Sequence, residues 1–429
     1  MSFPEDFVWG AATSAHQIEG DPLADGGGLS IWDVHERVPG RIFEGHSAAR
    51  ACNHYHRYRE DIGLMKRVGI RSYRFSVSWA RVVPQQLGTV NDRALDFYDR
   101  LTDELLSHSI TPLVTLYHWE LPYHLFLRGG WLNPEVPRRF AEYAEAVASR
   151  IGDRVSNWVT LNEPQCFVGG YANGDHAPAL TLDGTSIAIA VHNAVRAHHY
   201  AVAAVRSVTT GARVGPAPVA IVSMPADESR EAEDTAREAM WRVERDDHST
   251  RWIYWNNRIW MDALVNGAYP ETVRPFFEAA LGDGGVEAEI DSPQTSDFLA
   301  CNIYNGARVE RREDGSIVET AFAPGFPRTG FNWPITPDSL YWGPRFLHER
   351  YRLPIVITEN GISSKDVVAV DGKVHDPGRV DFLTRYLRRL RDAIRDGVDV
   401  RGYYYWSFLD NFEWSFGYRE RFGLVYVDF

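Results

Sequence analysis

The sequence predicts an α/β protein, a single (β/α)8 TIM barrel over residues 1–429. Three observations lead there. Eight short runs rich in β-branched and aromatic residues recur along the chain, helix-patterned segments lie between them, and no low-complexity linker or composition shift divides the 429 residues. The candidate strands are Phe7–Ala12, Ser72–Trp79, Thr111–Trp119, Asn157–Glu163, Arg213–Ala220, Phe298–Tyr304, Pro354–Glu359 and Val400–Phe408. The candidate helices include Asp92–His108, where Leu95, Tyr98, Leu101 and Leu105 share one face. Others run over Glu135–Ile151, Ile187–Ser207, Trp252–Val265 and Arg379–Arg395. Eight strand–helix repeats favour a closed parallel barrel over an open sheet.

Barrels of this kind carry their sites at the carboxyl ends of the strands. Here those ends hold Arg74 to Trp79, His118-Trp119, Asn162-Glu163, Asn302 to Tyr304, Glu359-Asn360 and Trp406. Such a mixture suits a carbohydrate, with donors and acceptors for hydroxyls and flat rings for the apolar faces of a sugar. Two of the runs, Trp158-Val-Thr-Leu-Asn162-Glu163-Pro164 and Ile355-Val-Ile-Thr-Glu359-Asn360-Gly361, each deliver a glutamate beside an asparagine. A carboxylate at the end of an interior strand is costly unless it is paired or used in chemistry. The alternative for each glutamate is a helix cap at the positive end of a dipole. Two in matching positions point instead to a glycosidase pair, which for retention sits roughly 5–5.5 Å apart. Glu359 is the expected nucleophile and Glu163 the acid/base, with Arg74 as the cation that keeps Glu359 ionised.

Composition narrows the partners. Lys plus Arg is 45 against 58 Asp plus Glu, a formal net charge of -13. That surface repels nucleic acid and anionic membranes, so a neutral small molecule is the expected partner. Three cysteines, Cys52, Cys166 and Cys301, lack CxxC spacing and fit free thiols in a reduced compartment. The N-terminus reads as no signal peptide, and no run of about 18 apolar residues occurs, so a cytoplasmic location is expected. His192, His198 and His199 lack the HExxH spacing of a zinc site, and no metal is expected.

The chain resembles the family-1 glycoside hydrolases, the β-glucosidase family, from about Phe3 to Phe429. The resemblance rests on Phe7-Val-Trp-Gly-Ala-Ala-Thr-Ser-Ala-His-Gln17-Ile-Glu19-Gly20, Tyr73-Arg-Phe-Ser-Val-Ser-Trp79, Tyr117-His118-Trp119 and Thr160-Leu-Asn-Glu-Pro164. Ile357-Thr-Glu-Asn-Gly361, Trp406-Ser-Phe-Leu-Asp-Asn-Phe-Glu413-Trp414 and Gly423-Leu-Val-Tyr-Val-Asp428 continue it. It implies double displacement through a glycosyl–Glu359 intermediate, without metal or organic cofactor. By position it implies that Gln17, His118, Asn162, Glu413 and Trp414 hold the glycone hydroxyls, with Trp119 in the same cluster. Trp406 becomes the platform under the ring, Asn302 and Tyr304 stand beside the nucleophile, and Trp333 lies on the aglycone side. Members acting on 6-phosphorylated sugars carry serine, lysine and tyrosine where this chain has Glu413, Glu420 and Phe422. An unphosphorylated β-glucoside is therefore the expected substrate, with β-galactosides and β-fucosides alongside.

Departures are few. Ala300, Cys301 and Ile303 are unusual in the sixth strand, and His16 and Ser339 replace commoner residues. The chain stops at Phe429, where relatives are expected to continue into a last C-terminal helix. The competing expectation is a catalytically silent sugar-binding scaffold, which normally lacks one of the two glutamates. The oligomeric state stays open.

Overall fold

The structure, a computed structural model, describes residues 2–85, 89–246, 248–283 and 290–429. Eight parallel strands, β1 (Val8–Ala12), β2 (Ser72–Ser76), β3 (Thr111–Tyr117), β4 (Asn157–Asn162), β5 (Arg213–Ala217), β6 (Leu299–Asn302), β7 (Ile355–Asn360) and β8 (Val400–Trp406), pair in the order 5-4-3-2-1-8-7-6. The strands read as apolar runs because both faces are covered. Where β5 meets β6 the ring closes through Asp297 N–H to Val214 O (2.9 Å), Asn302 N–H to Pro218 O (3.1 Å) and Ala220 N–H to Asn302 O (3.0 Å). Gly215 permits that approach, since a Cβ there would stand 2.4 Å from Phe298 O.

Helices His54–Val68, Asp92–Ser107, Val136–Ile151, Gly184–Val208, Arg258–Asn266, Ser339–Tyr351 and Pro377–Arg395 fall between successive strands. On Asp92–Ser107 the face of Leu95, Tyr98, Leu101 and Leu105 is buried, as the spacing predicts. The expected helix Trp252–Val265 is broken into Arg251–Tyr254 and Arg258–Asn266. Asn257 explains the break: its amide accepts Ile221 N–H (2.8 Å) and donates to Ile221 O (2.8 Å) and Met240 O (3.0 Å). The side chain thus ties the segment to the loop after β5, while Asn256 Oδ1 caps Ile259 N–H at 2.8 Å. The expected strand Ser72–Trp79 stops at Ser76, because Ser78 Oγ accepts Arg81 N–H and opens a short helix.

The barrel interior is a cluster including Ala12, Leu113, Val159, Ala217, Ala300 and Tyr404, lying with Trp406. Ala300 faces inward, whereas Leu299, Cys301 and Ile303 pack outward with Phe346 and Leu347. The unusual residues of β6 are thus core residues on alternate faces. A small sheet, Val222–Pro225, Gly306–Arg311 and Ile317–Glu319, sits over the strand ends and has no counterpart among the sequence expectations. After β8 the described chain contains one 3-10 turn, Trp414–Phe416, and no α-helix. All three cysteines are free, and no helix among the described residues is long and apolar enough to cross a membrane.

Candidate active site

Irregular pairing marks the two strands that carry the glutamates. On β7, Ile357 pairs Cys301 but Glu359 pairs Asn302, so one extra residue re-aims the glutamate. On β4, the register to β5 shifts between Val159 and Asn162. Glu163 then adopts a left-handed backbone, φ 47° and ψ 65°, a conformation a non-glycine residue holds only when its surroundings impose it. Pro164 disfavours the ordinary helical region for Glu163, and Glu163 N–H bonds Ala217 O at 2.8 Å. Glu163 precedes helix Pro164–Gly169, yet its side chain makes no capping bond. Helix capping is therefore not what the carboxylate does.

One hydrogen-bond network joins the pair. Arg74, 1% exposed, donates from Nη1 to Glu359 Oε1 (2.6 Å), from Nη2 to Asn162 Oδ1 (2.6 Å) and from Nε to Thr115 Oγ1 (3.0 Å). Asn302 Nδ2 donates to Asn162 Oδ1 (3.0 Å) and to Glu163 Oε1 (2.9 Å), while its Oδ1 accepts from Thr358 Oγ1 (2.7 Å). Tyr304 OH donates to Glu359 Oε2 at 2.7 Å. Because Asn162 Oδ1 accepts twice, its Nδ2 must be the donor to His118 Nε2, at 3.1 Å. The imidazole proton then sits on Nδ1, which is buried without a protein partner among the described residues. Burial, with Arg74 nearby, pushes the His118 pKa well down, so the ring is neutral.

Burial, then the neighbouring Glu359 charge, lifts the Glu163 carboxyl to about 7. Glu359 is also raised by burial, but Arg74, Tyr304 and Asn302 oppose the rise. Desolvation outweighs the guanidinium on Glu359, and Arg74 opposes the rise on both groups while bonding only Glu359 directly. Glu413 is pushed well above the usual carboxylate range by burial and by Glu359, Glu163 and Glu420.

A cavity of about 730 Å³ opens over these groups. Of the expected site residues, His118, Trp119, Glu163, Tyr304, Trp333, Glu359, Trp406, Glu413, Trp414 and Phe422 line it. Arg74, Asn162, Asn302 and Gln17 are not in its wall; they stand behind it and orient the groups that are. Gln17 Nε2 donates to Asn411 Oδ1 (3.0 Å), Phe412 O (3.0 Å) and Glu413 Oε2 (3.3 Å). Trp119 stacks on Trp414, centroids 4.6 Å apart, and His118 stacks on Trp406 at 5.6 Å. Trp119 and Trp414, like Glu163, have positive φ, 77° and 52°. His198 and His199 lie elsewhere, buried against Thr160 and Ala263, and no cluster able to hold a metal occurs among the described residues.

Sequence reasoning missed Phe331, Phe416, Tyr254 and Trp255, which also line the cavity. Phe331 carried a faint signal, two residues before Trp333 on a Gly-Phe-Asn-Trp stretch. Tyr254 and Trp255 lie at the end of the short helix Arg251–Tyr254, inside the segment expected as one helix, and Phe416 ends the 3-10 turn, so no strand-end pattern pointed to them.

Comparison with known proteins bears on this geometry. The chain is 40% identical over 431 residues to beta-glucosidase A of Thermotoga maritima, covering 100% of this chain and 93% of that one. A solved family 1 β-glucosidase from Thermotoga maritima, in complex with isofagomine lactam, superposes with a TM-score of 0.86 at 40% identity, covering 99% of this chain and 94% of the other. An aryl-phospho-beta-D-glucosidase of Bacillus subtilis is 36% identical over 454 residues, covering 100% of this chain and 92% of its own. Residues 1–429 match the family described as Glycosyl hydrolase family 1. With two strand-end glutamates in one aromatic-walled cavity and a full-length match, the chain belongs to glycosyl hydrolase family 1.

Proposed function

We propose that residues 1–429 act as one retaining, exo-acting β-glycosidase domain that hydrolyses unphosphorylated β-D-glucosides, with β-galactosides and β-fucosides as further substrates. The observation that carries this is the linked pair: Glu163 and Glu359 line one cavity and share the Arg74–Asn162–Asn302 network. Glu359, held by Arg74 and Tyr304, attacks the anomeric carbon. Glu163, protonated near neutral pH, gives its proton to the leaving oxygen. As the leaving group departs, Glu163 becomes a carboxylate, and it then takes a proton from the water that cleaves the glycosyl–Glu359 ester. His118 Nδ1–H, without a protein acceptor, suits a glycone hydroxyl, and Glu413 beside Gln17 suits two more. Trp406 lies under the ring and Trp414 at its edge, with Trp333 towards the aglycone.

An unphosphorylated glycone is supported by the charges near Glu413. Glu420 is fully buried and ion-paired with Lys365 and Arg419, so those cations are committed to a carboxylate. No cofactor is needed for this chemistry. The free thiols support a cytoplasmic setting. A silent scaffold is not favoured, because both glutamates are present and bonded to their partners.

Incubation with an activated 2-deoxy-2-fluoro-β-glucoside, followed by intact mass and peptide mapping, tests the proposal. A single adduct on Glu359 is expected. Absence of an adduct on folded protein, with no turnover of aryl glucosides, sinks it.

A further inference from the structure

We propose that Thr358 is a positioning residue for proton transfer: its hydroxyl fixes the orientation of the Asn302 amide that donates to Glu163. This rests on the glycosidase reading above.

Thr358 is the extra residue of the β7 bulge. Ile357 pairs Cys301 and Glu359 pairs Asn302, which leaves Thr358 opposite no residue of β6. Alternation along the strand sends Val356 into the barrel and Ile357 out against the surrounding helices. An unbroken strand would turn Glu359 outward beside Ile357. With the bulge, Thr358 and Glu359 both make their contacts inside the barrel, and Thr358 reaches both halves of the network. Its carbonyl accepts from Arg74 Nη1 at 3.2 Å, and its Oγ1 donates to Asn302 Oδ1 at 2.7 Å.

The direction of that last bond is forced. A guanidinium only donates, so the Asn162 atom facing Arg74 Nη2 is Oδ1. The same Oδ1 faces the Asn302 amide at 3.0 Å, so Asn302 presents Nδ2 there and to Glu163 Oε1 at 2.9 Å. Its own Oδ1 then points the other way, onto the Thr358 hydroxyl. The backbone of Asn302 is already held in the barrel seam, its N–H by Pro218 O (3.1 Å) and its O by Ala220 N–H (3.0 Å). Only the side-chain torsions remain, and Thr358, stiff about χ1, restrains them. Both residues are fully buried, so bulk water is not at hand to replace the hydroxyl.

Without the hydroxyl, the buried Asn302 Oδ1 loses its donor. A flip of the amide would turn that oxygen toward Glu163, where only the protonated acid can meet it. Either way the Asn302 donor that favours the ionised Glu163 is weakened, and the acid keeps its proton to higher pH.

The pH dependence of kcat/KM for a glucoside with a poor leaving group, phenyl β-D-glucoside, reads this. In Thr358→Val the alkaline limb is expected to move up by roughly half a unit to one unit. Thr358→Ser restores the hydroxyl and should return the limb to its wild-type position. Thr358→Cys offers only a weak S–H donor and should move the limb in the same direction as valine, which keeps the test decisive if the valine variant does not fold. A limb unmoved in the valine and cysteine variants, a serine variant that behaves like valine, or a loss of kcat/KM equal at every pH overturns the inference while leaving an active glucosidase. A folded wild-type protein that turns over no aryl glucoside overturns the glycosidase reading instead.

Discussion

Glu163 and Glu359 do the same structural thing, ending an interior strand, yet only Glu359 bonds a cation. Arg74 donates to Glu359 directly, whereas its hydrogen-bond path to Glu163 runs through Asn162 and Asn302. That asymmetry is what the proposed roles require, because the acid must hold a proton at the pH where the nucleophile has lost its own. With the Glu163 carboxyl at about 7, it loses its proton as pH rises through neutrality. The alkaline limb of kcat/KM is therefore expected near pH 7. Glu163→Gln should lower kcat/KM for glucosides of poor leaving groups by roughly 100- to 10,000-fold, because general-acid assistance is lost. The variant should show no such limb, and activated aryl glucosides, which need no proton, should lose far less activity. A wild-type alkaline limb that persists unchanged in the variant would remove Glu163 from the acid role. The two glutamates and Arg74 were legible as residues. The bond partners were not, since Thr115 and Thr358 are unremarkable strand residues until the ring closes.

At the scale of elements, the strands and most helices follow from periodicity, whereas the features that aim side chains do not. The bulge that puts Glu359 opposite Asn302 arises from pairing between β6 and β7, which no local pattern encodes. The closure of β5 on β6 depends likewise on a glycine whose neighbour is distant in sequence. Gly215→Ala should cost about 1–3 kcal/mol by forcing a methyl against Phe298 O and its ring. Denaturant unfolding followed by tryptophan fluorescence measures it, and an unchanged midpoint would show that the seam relaxes without loss. Asn257 is the complementary case, where one amide interrupts a helical pattern to secure the loop Val219 to Val222. Its apolar spacing predicted a continuous helix, and a side chain bonded to a remote loop overrode it.

For the whole molecule, the site is a local instability carried by a large core. Glu413 is buried near three other carboxylates, Glu359, Glu163 and Glu420, and its ionisation is opposed by burial and by all of them. In the unfolded chain it ionises at an ordinary pKa, so native stability falls as pH rises above about 4.5, the usual glutamate range. Gln cannot ionise in either state. The melting temperature of Glu413→Gln relative to wild type is therefore expected to climb from pH 5 to pH 8, while glucoside turnover falls. Differential scanning calorimetry at a fixed scan rate checks this. A difference that is flat with pH would mean that Glu413 ionises in the folded protein as easily as outside it. Such an exchange of stability for function is the normal cost of a polar, pre-organised site.

The sequence by itself determined the alternation of strand and helix, the barrel they close into, and the identity of the two glutamates with their flanking asparagines. These are local properties: burial pattern, β-branching, and a carboxylate at a strand end. Tertiary structure alone decided which expected residues face the cavity and which stand behind it. It brought Arg74 to Glu359 across 285 positions and Gln17 to Glu413 across 396. It also set Phe331 against Phe416, and lifted Glu163 above the ordinary carboxylate range. The physical reason is the same in each case: desolvation and directed hydrogen bonds depend on what surrounds a group in space, and only the closed fold supplies those surroundings.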